Sequence, residues 1–225
     1  MAAFDHAVEM GYNYIESDVW LTTDGVLVLF HDPTLDESTD STGHIENYSW
    51  DELRQVKVGG SHGIPRLVDL LDTHPDIRLN LEPKHDAAVE PLAALLESRQ
   101  LVGQVCIGSF SDRRINQMRQ LLGPELCTSP GPKGMMVTLL KMVTPSWVPR
   151  LDSPIPYGAL QLPVSFKGIP VVTGWLVGRA HALGLQVHVW TVNEEAEMRR
   201  LLDLGVDVIM TDATELLQHV LVDYA

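Results

Sequence analysis

Short apolar runs alternate with amphipathic, helix-like segments along most of the chain. The runs predict strands at Tyr14–Leu21, Arg78–Glu82, Val105–Phe110, Leu126–Ser129, Ala159–Leu162, Gln186–Val192 and Val206–Thr211. The segments between them predict helices at Ala87–Ser98, Asp112–Leu122, Met135–Met142, Thr173–Leu183, Glu194–Leu204 and Ala213–Asp223. Strands that alternate with helices in this way indicate a parallel sheet with helical crossovers.

One segment departs from this alternation. Asp24-Gly25 is a strong signal for a two-residue hairpin turn, and the apolar run Val26–Phe30 follows it directly. We therefore expect this run to fold back antiparallel onto the preceding strand and to end at His31. Without it seven parallel strands remain, which is one fewer than the eight of a TIM barrel.

Composition narrows the class of protein. The 225 residues are 45% hydrophobic and 20% charged, which predicts a single soluble globular domain over residues 1–225. A formal net charge of −14 argues against a broad nucleic-acid footprint and predicts repulsion from an anionic membrane surface. Cys106 and Cys127 lie in apolar runs, as buried reduced thiols do. There is no apolar run long enough to span a bilayer and no signal-peptide pattern at Met1, so we expect a cytoplasmic location.

Acidic residues interrupt two of the predicted strands. Glu16 and Asp18 are two residues apart, so their carboxylates share one strand face, and Glu82 and Lys84 repeat this spacing. Each pair has two interpretations: a functional site, or a solvated strand end with an ordinary surface ion pair. Three converging carboxylates, Glu16, Asp18 and Glu82, would favour a hard divalent cation, Mg²⁺ or Ca²⁺. Lys84 would then supply a positive charge for an anionic substrate.

The other candidate site residues have weaker support in the sequence. His31 ends the hairpin arm that folds back toward the carboxylates, although a lone histidine at a turn is more often structural. Trp190 is near a strand end, where its ring could line a pocket or pack in the core. The alternation in QVHVW leaves the role of His188 open.

These motifs together resemble the glycerophosphodiester phosphodiesterase family. The resemblance rests on IESDVWLTTDGVLVLFHDPTLDESTDSTG, LNLEPKH, the Ser-Phe pair at Ser109–Phe110, VHVWTVN and GVDVIMTD, in the family's order and spacing. It extends over nearly the whole chain. It implies a TIM barrel that hydrolyses glycerophosphodiesters to sn-glycerol 3-phosphate and an alcohol with a divalent metal, Mg²⁺ or Ca²⁺.

The resemblance also implies roles for particular residues. Glu16, Asp18 and Glu82 would be metal ligands, and His31 would be one of two acid–base histidines. Lys84 would contact the phosphate, and Trp190 would help to bind the substrate. The hairpin that ends at His31 matches an insertion of the family after the strand of Glu16 and Asp18.

The amino terminus departs from the family pattern. The family begins with a strand carrying His-Arg-Gly, whereas this chain starts at MAAFDHAVEMG, which aligns with the first helix. We therefore expect a barrel that lacks its first strand, with a second histidine and a phosphate-binding arginine missing. Either the chain is a fragment, before which a signal peptide remains conceivable, or it is a degenerate member. An inactive barrel with a binding or assembly role and a lysophospholipase-D-like enzyme are the alternatives.

Overall fold

A computed structural model describes residues 1–144 and 155–224 of the chain. These residues form two compact units. The first unit comprises Met1–Ser109 with Arg113–Leu126, and the second comprises Phe110–Asp112 with Cys127–Ala225.

The first unit contains six strands, four complete helices and all but the first residue of a fifth. The strands are β1 (Tyr14–Leu21), β2 (Leu27–Leu29), β3 (Lys57–Val58), β4 (His62–Gly63), β5 (Arg78–Pro83) and β6 (Val105–Ile107). The helices are α1 (Ala2–Glu9), α2 (Trp50–Leu53), α3 (Leu67–Thr73), α4 (Val89–Ser98) and α5 (Asp112–Leu122), and three-residue 3₁₀ helices cover Ile45–Asn47, Asp86–Ala88 and Val102–Gln104. Within this unit β2, β1, β5 and β6 lie side by side in that order, while β3 and β4 form a separate antiparallel pair.

Pairing within this sheet follows the predicted pattern. β1 runs parallel to β5, and β5 runs parallel to β6. β2 runs antiparallel to the last residues of β1, from Val19 to Leu21, which confirms the predicted hairpin. Its turn contains Gly25 at φ 82°, a left-handed conformation that glycine adopts without steric cost. The hairpin and the segment after it enclose a core of their own, in which Trp20 and Val28 pack with Leu35, Ile45 and Leu53.

The second unit has its own set of strands and helices, and three of the strands, β8, β11 and β12, form a sheet. The strands of the unit are β7 (Cys127–Thr128), β8 (Ala159–Pro163), β9 (Ser165–Phe166), β10 (Ile169–Pro170), β11 (Gln186–Trp190) and β12 (Val208–Ile209), and its helices are α6 (Pro132–Val143), α7 (Gly174–Ala182), α8 (Glu195–Asp203) and α9 (Thr214–Leu221). A 3₁₀ helix covers Val222–Tyr224. β11 lies between β8 and β12 and is parallel to both. β9 and β10 form a small antiparallel hairpin.

Most of the predicted elements are present, but few have the predicted bounds; α6, for example, begins at Pro132 and not at Met135. β1 and α5 begin and end at the predicted residues, whereas the strand predicted at Val206–Thr211 is reduced to Val208–Ile209. Across the described ranges, 1–144 and 155–224, no helix combines the length and the apolar character that crossing a bilayer would require.

Candidate active site

The parallel pairing of β1 and β5 brings the predicted acidic residues into neighbouring positions. In this register Asp18 lies opposite Glu82, and Glu16 lies opposite Asn80. The backbone N–H of Lys84 donates to the carbonyl of Val19 at 3.0 Å, which continues the ladder past the end of β5. Side chains at alternate positions of a strand share a face, so Glu16, Asp18, Glu82 and Lys84 emerge on the same side.

Lys84 joins two of these carboxylates. Its Nζ lies 2.8 Å from Oδ1 of Asp18 and 3.4 Å from Oε2 of Glu82. The side chain of Lys84 is only 20% exposed and that of Asp18 only 7%. Burial by itself would lower the pKa of Lys84, but the hydrogen bond to Asp18 and the two negative charges outweigh it and raise this pKa. The ammonium group therefore stays charged at neutral pH.

The carboxylates of Asp18 and Glu82 share the positive charge of Lys84. Burial raises the pKa of Asp18, and its hydrogen bond to Lys84 opposes that rise only in part. Glu16 is accessible to solvent, yet the protein around it raises its pKa to about 7, first by desolvation and then by repulsion from Asp18. Three acids and one base leave this cluster with an excess of negative charge.

His31 lies just beyond β2, and Asp32 orients its ring. Nδ1 of His31 is 2.7 Å from Oδ1 of Asp32, and the hydroxyl of Ser38 contacts the other oxygen of Asp32 at 3.4 Å. The hydrogen bond to Asp32 is the main reason why the pKa of His31 is raised. The His31 side chain is 84% exposed, but a positive charge on it lowers the pKa values of both Glu16 and Asp18. His31 is therefore within electrostatic range of these acids.

The arrangement of the acidic side chains can be compared with what binding of a divalent cation requires. Among residues 1–144 and 155–224, no three His, Cys, Asp or Glu side chains are arranged to hold a metal ion. Asp18 and Glu82 instead contact the Lys84 ammonium. The chemistry of the cluster nevertheless fits a hard cation, because its acids carry only oxygen donors, and desolvation together with repulsion from Asp18 raises the pKa of Glu16 to about 7.

The second unit holds the other two candidates. Trp190 ends β11 and is half-buried, and its ring meets that of Phe110 edge to face with the centroids 5.9 Å apart. His188 is fully buried in the middle of the same strand, with Nε2 3.1 Å from Oε1 of Gln186. The position of His188 is that of a core histidine, and it is unsuited to exchanging protons with a substrate.

Two interactions near the site have only weak signals in the sequence. Asp32 follows His31 directly in FHDP, and this adjacency is the one feature that could have pointed to their hydrogen bond. Nδ1 of His85 lies 3.1 Å from Oε2 of Glu46, and the His85 ring packs edge to face on Trp20. The His85–Glu46 pair, 39 residues apart, links the end of β5 to the segment after the hairpin.

Comparison with known proteins defines the class to which this fold and site belong. The model of the glycerophosphoryl diester phosphodiesterase family matches residues 1–216. A relative from Mycobacterium tuberculosis, named "Probable glycerophosphodiester phosphodiesterase 2", is 37% identical, and the match covers 99% of this chain and 84% of the relative.

Two solved structures resemble the fold. A glycerophosphodiester phosphodiesterase from Agrobacterium tumefaciens matches with a TM-score of 0.75 and 23% identity, covering 96% of this chain and 91% of its own. An Oleispira antarctica phosphodiesterase in complex with the product sn-glycerol-3-phosphate matches with a TM-score of 0.76 and 24% identity, covering 98% and 89%. These likenesses confirm the predicted α/β fold of the TIM-barrel type. The chain belongs to the glycerophosphoryl diester phosphodiesterase family.

Proposed function

We propose that the protein hydrolyses glycerophosphodiesters to sn-glycerol 3-phosphate and an alcohol. Family membership and the 37% identical relative support this activity. The observation that carries the proposal is the Lys84 ammonium, largely buried between Asp18 and Glu82 on a sheet face within electrostatic range of His31. A phosphodiester carries one negative charge, and a desolvated cation is a suitable partner for it.

Lys84 and His31 would have different roles: Lys84 would bind the substrate, and His31 would transfer protons. The Lys84 ammonium would bind a non-bridging phosphoryl oxygen and stabilise the charge that builds up in the transition state. When His31 is neutral, its Nδ1–H donates to Asp32, which leaves Nε2 free to accept a proton. His31 would thus transfer protons at Nε2, either from the attacking water or, once protonated, to the leaving alkoxide.

The carboxylates would hold the cation. Glu16, Asp18 and Glu82 would bind Mg²⁺ or Ca²⁺, both of which prefer oxygen ligands. When bound, the cation would neutralise phosphoryl charge and position the glycerol hydroxyls. Because Lys84 contacts Asp18 and Glu82, a bound phosphate would draw the ammonium toward its own oxygens and free these carboxylates for the cation. At the end of β11, Trp190 would offer a ring face to the glycerol or the alcohol part of the substrate.

The direct test is hydrolysis of glycerophosphocholine by the purified chain, followed by enzymatic detection of sn-glycerol 3-phosphate. We expect His31→Asn to lower kcat by about 10²–10⁴-fold, because one proton transfer loses its catalyst. His62→Asn is the matched control, since His62 is an exposed histidine of the same unit and should leave kcat unchanged. Equal rates for the His31 and His62 variants would refute the role of His31. Hydrolysis of lysophosphatidylcholine in place of glycerophosphocholine would favour the lysophospholipase-D-like alternative.

Binding of the cation is tested by a separate measurement, the thermal stability of the protein. Titration of the metal-free protein with Mg²⁺ or Ca²⁺ should raise Tm, because ligand that binds only the folded state stabilises it. Glu82→Gln should abolish this rise, whereas Glu37→Gln, at an exposed glutamate of the same unit, should keep it. A rise of equal size in both variants would remove Glu82 from the ligand set. Cation binding without hydrolysis of any diester would instead favour the inactive, binding barrel.

A further inference from the structure

The hairpin of β9 and β10 presents apolar side chains to solvent. Phe166 and Ile169 are directly paired across its two strands and are 63% and 70% exposed. Every residue from Ser165 to Pro170 is exposed. Neighbouring apolar side chains that stay exposed on one element mark a candidate contact surface for another molecule.

The turn of this hairpin adds a positive charge between the two apolar side chains. Lys167 and Gly168 form a two-residue turn with φ values of 51° and 78°, which is the left-handed geometry of a tight hairpin turn. Nζ of Lys167 lies 5.5 Å from the centroid of the Phe166 ring. The tip therefore combines an ammonium group, an aromatic ring and a branched aliphatic side chain within four residues.

The sequence around the hairpin has a different charge balance from the rest of the chain. Residues 127–193 contain five Lys and Arg residues and a single acidic residue, Asp152, although the whole chain has a net charge of −14. Charges separated by more than about 8 Å interact weakly at physiological salt, so the local balance outweighs the total at a surface contact. The hairpin itself carries only the positive charge of Lys167, which weakens at this element the repulsion from anionic membranes that the total charge predicts.

We propose that the β9–β10 hairpin is a membrane-docking element that inserts Phe166 and Ile169 into the interface of an anionic lipid bilayer. Lys167 would lie at the level of the lipid phosphates, where a basic residue is attracted and an apolar neighbour is buried. The six residues of the hairpin are far fewer than the roughly 20–30 residues that each partner contributes to a stable protein complex, whereas shallow insertion into lipid needs no such number.

Vesicle co-sedimentation of the full chain tests this proposal. We expect the protein to bind vesicles of phosphatidylcholine mixed with phosphatidylglycerol, and to bind pure phosphatidylcholine vesicles much less. The double substitution Phe166→Ser and Ile169→Ser should lower the partition coefficient for anionic vesicles at least about tenfold, since both apolar groups leave the interface. Val222→Ser is the control, because Val222 is 71% exposed on a different element and its loss should leave partitioning unchanged.

Two further variants keep the outcome interpretable. Lys167→Glu keeps both apolar side chains and should lose most binding to anionic vesicles, while Lys167→Arg should retain it. Hydrolysis of soluble glycerophosphocholine should be the same in all hairpin variants, which shows that they are folded and separates this proposal from the proposed function. Absence of vesicle binding by the unaltered chain would overturn the proposal, as would equal binding by the double variant. A dimer that dissociates in the double variant, without vesicle binding, would show that a second copy covers the hairpin instead.

Discussion

Burial of His188 makes the stability of this protein sensitive to acid. His188 is fully buried in β11, and removal from water lowers its pKa from the ordinary 6.5 to about 4, with Asp207 opposing this shift only in part. Between these two values the unfolded chain binds a proton at His188 and the folded chain does not. The unfolded state therefore gains free energy as the pH falls, and stability that is fully present above pH 6.5 is lost as the pH falls toward 4.

The size of the effect follows from the two pKa values. Each unit of difference corresponds to 1.36 kcal/mol, so a pKa of about 4 in place of 6.5 implies a loss of about 3 kcal/mol once the pH is below both values. About 2 kcal/mol of this loss has appeared by pH 5. Since the free energy of unfolding of a typical domain is about 5–15 kcal/mol, a loss of this size is readily measurable.

Urea unfolding of the unaltered chain and of His188→Gln at pH 7 and pH 5 measures this contribution. Glutamine retains an amide to meet Gln186 but does not titrate, so the stability difference between the two proteins should shift by about 2 kcal/mol in favour of the variant as the pH falls. His219→Gln, at an exposed histidine of α9, is the control and should follow the unaltered chain. A difference that stays constant between the two pH values would refute the reasoning, because His188 would then titrate alike in both states.

Two further predictions concern a proton-transfer residue and a packed glycine. Asp32→Asn replaces the charged partner in the hydrogen bond that raises the pKa of His31, so the limb of the pH–rate profile due to His31 should move to lower pH; an unmoved profile would mean that His31 does not control it. Gly134→Ala should lower the free energy of unfolding by about 1–3 kcal/mol, because the new Cβ would lie 2.5 Å from Oη of Tyr157. Gly178→Ala, in open space on α7, should instead stabilise by up to about 1 kcal/mol, and chemical denaturation of both variants distinguishes crowding from helix propensity.

Hydrophobic periodicity was sufficient for the elements that bury a continuous face. β1 combines alternation with a strong turn at its end, and α5 buries Ile115 and Met118, which lie on one side of a mostly polar helix. The sequence contained no such signal for β3, β4, β9 and β10, which have two residues each and bury little. Elements this short are held by tertiary contacts and turn geometry, which local patterns do not encode.

The candidate site was predictable to the extent that it depends on strand geometry. Alternation alone placed Glu16 with Asp18, and the hairpin signal placed His31 on a returning arm. The main ion-pair partner of Lys84 could not be predicted in this way. The i, i+2 spacing suggested Glu82, but the shorter contact of Lys84, at 2.8 Å, is with Asp18 on the neighbouring strand. Contacts between strands depend on register, and a single sequence does not specify the register of two strands 60 residues apart.

That register determines the electrostatics of the whole site. Asp18 lies opposite Glu82 because Tyr14 pairs with Arg78, and a shift of one residue would turn one of the two carboxylates to the other face of the sheet. The apolar neighbours oppose such a shift, since it would also move Leu79 and Leu81, both almost fully buried, out of the core. The burial of these leucines therefore stabilises an arrangement that electrostatic repulsion between the acids opposes. The excess negative charge is a consequence of the fold. Under the proposed function it would attract the cation, while the Lys84 ammonium would bind the anionic substrate.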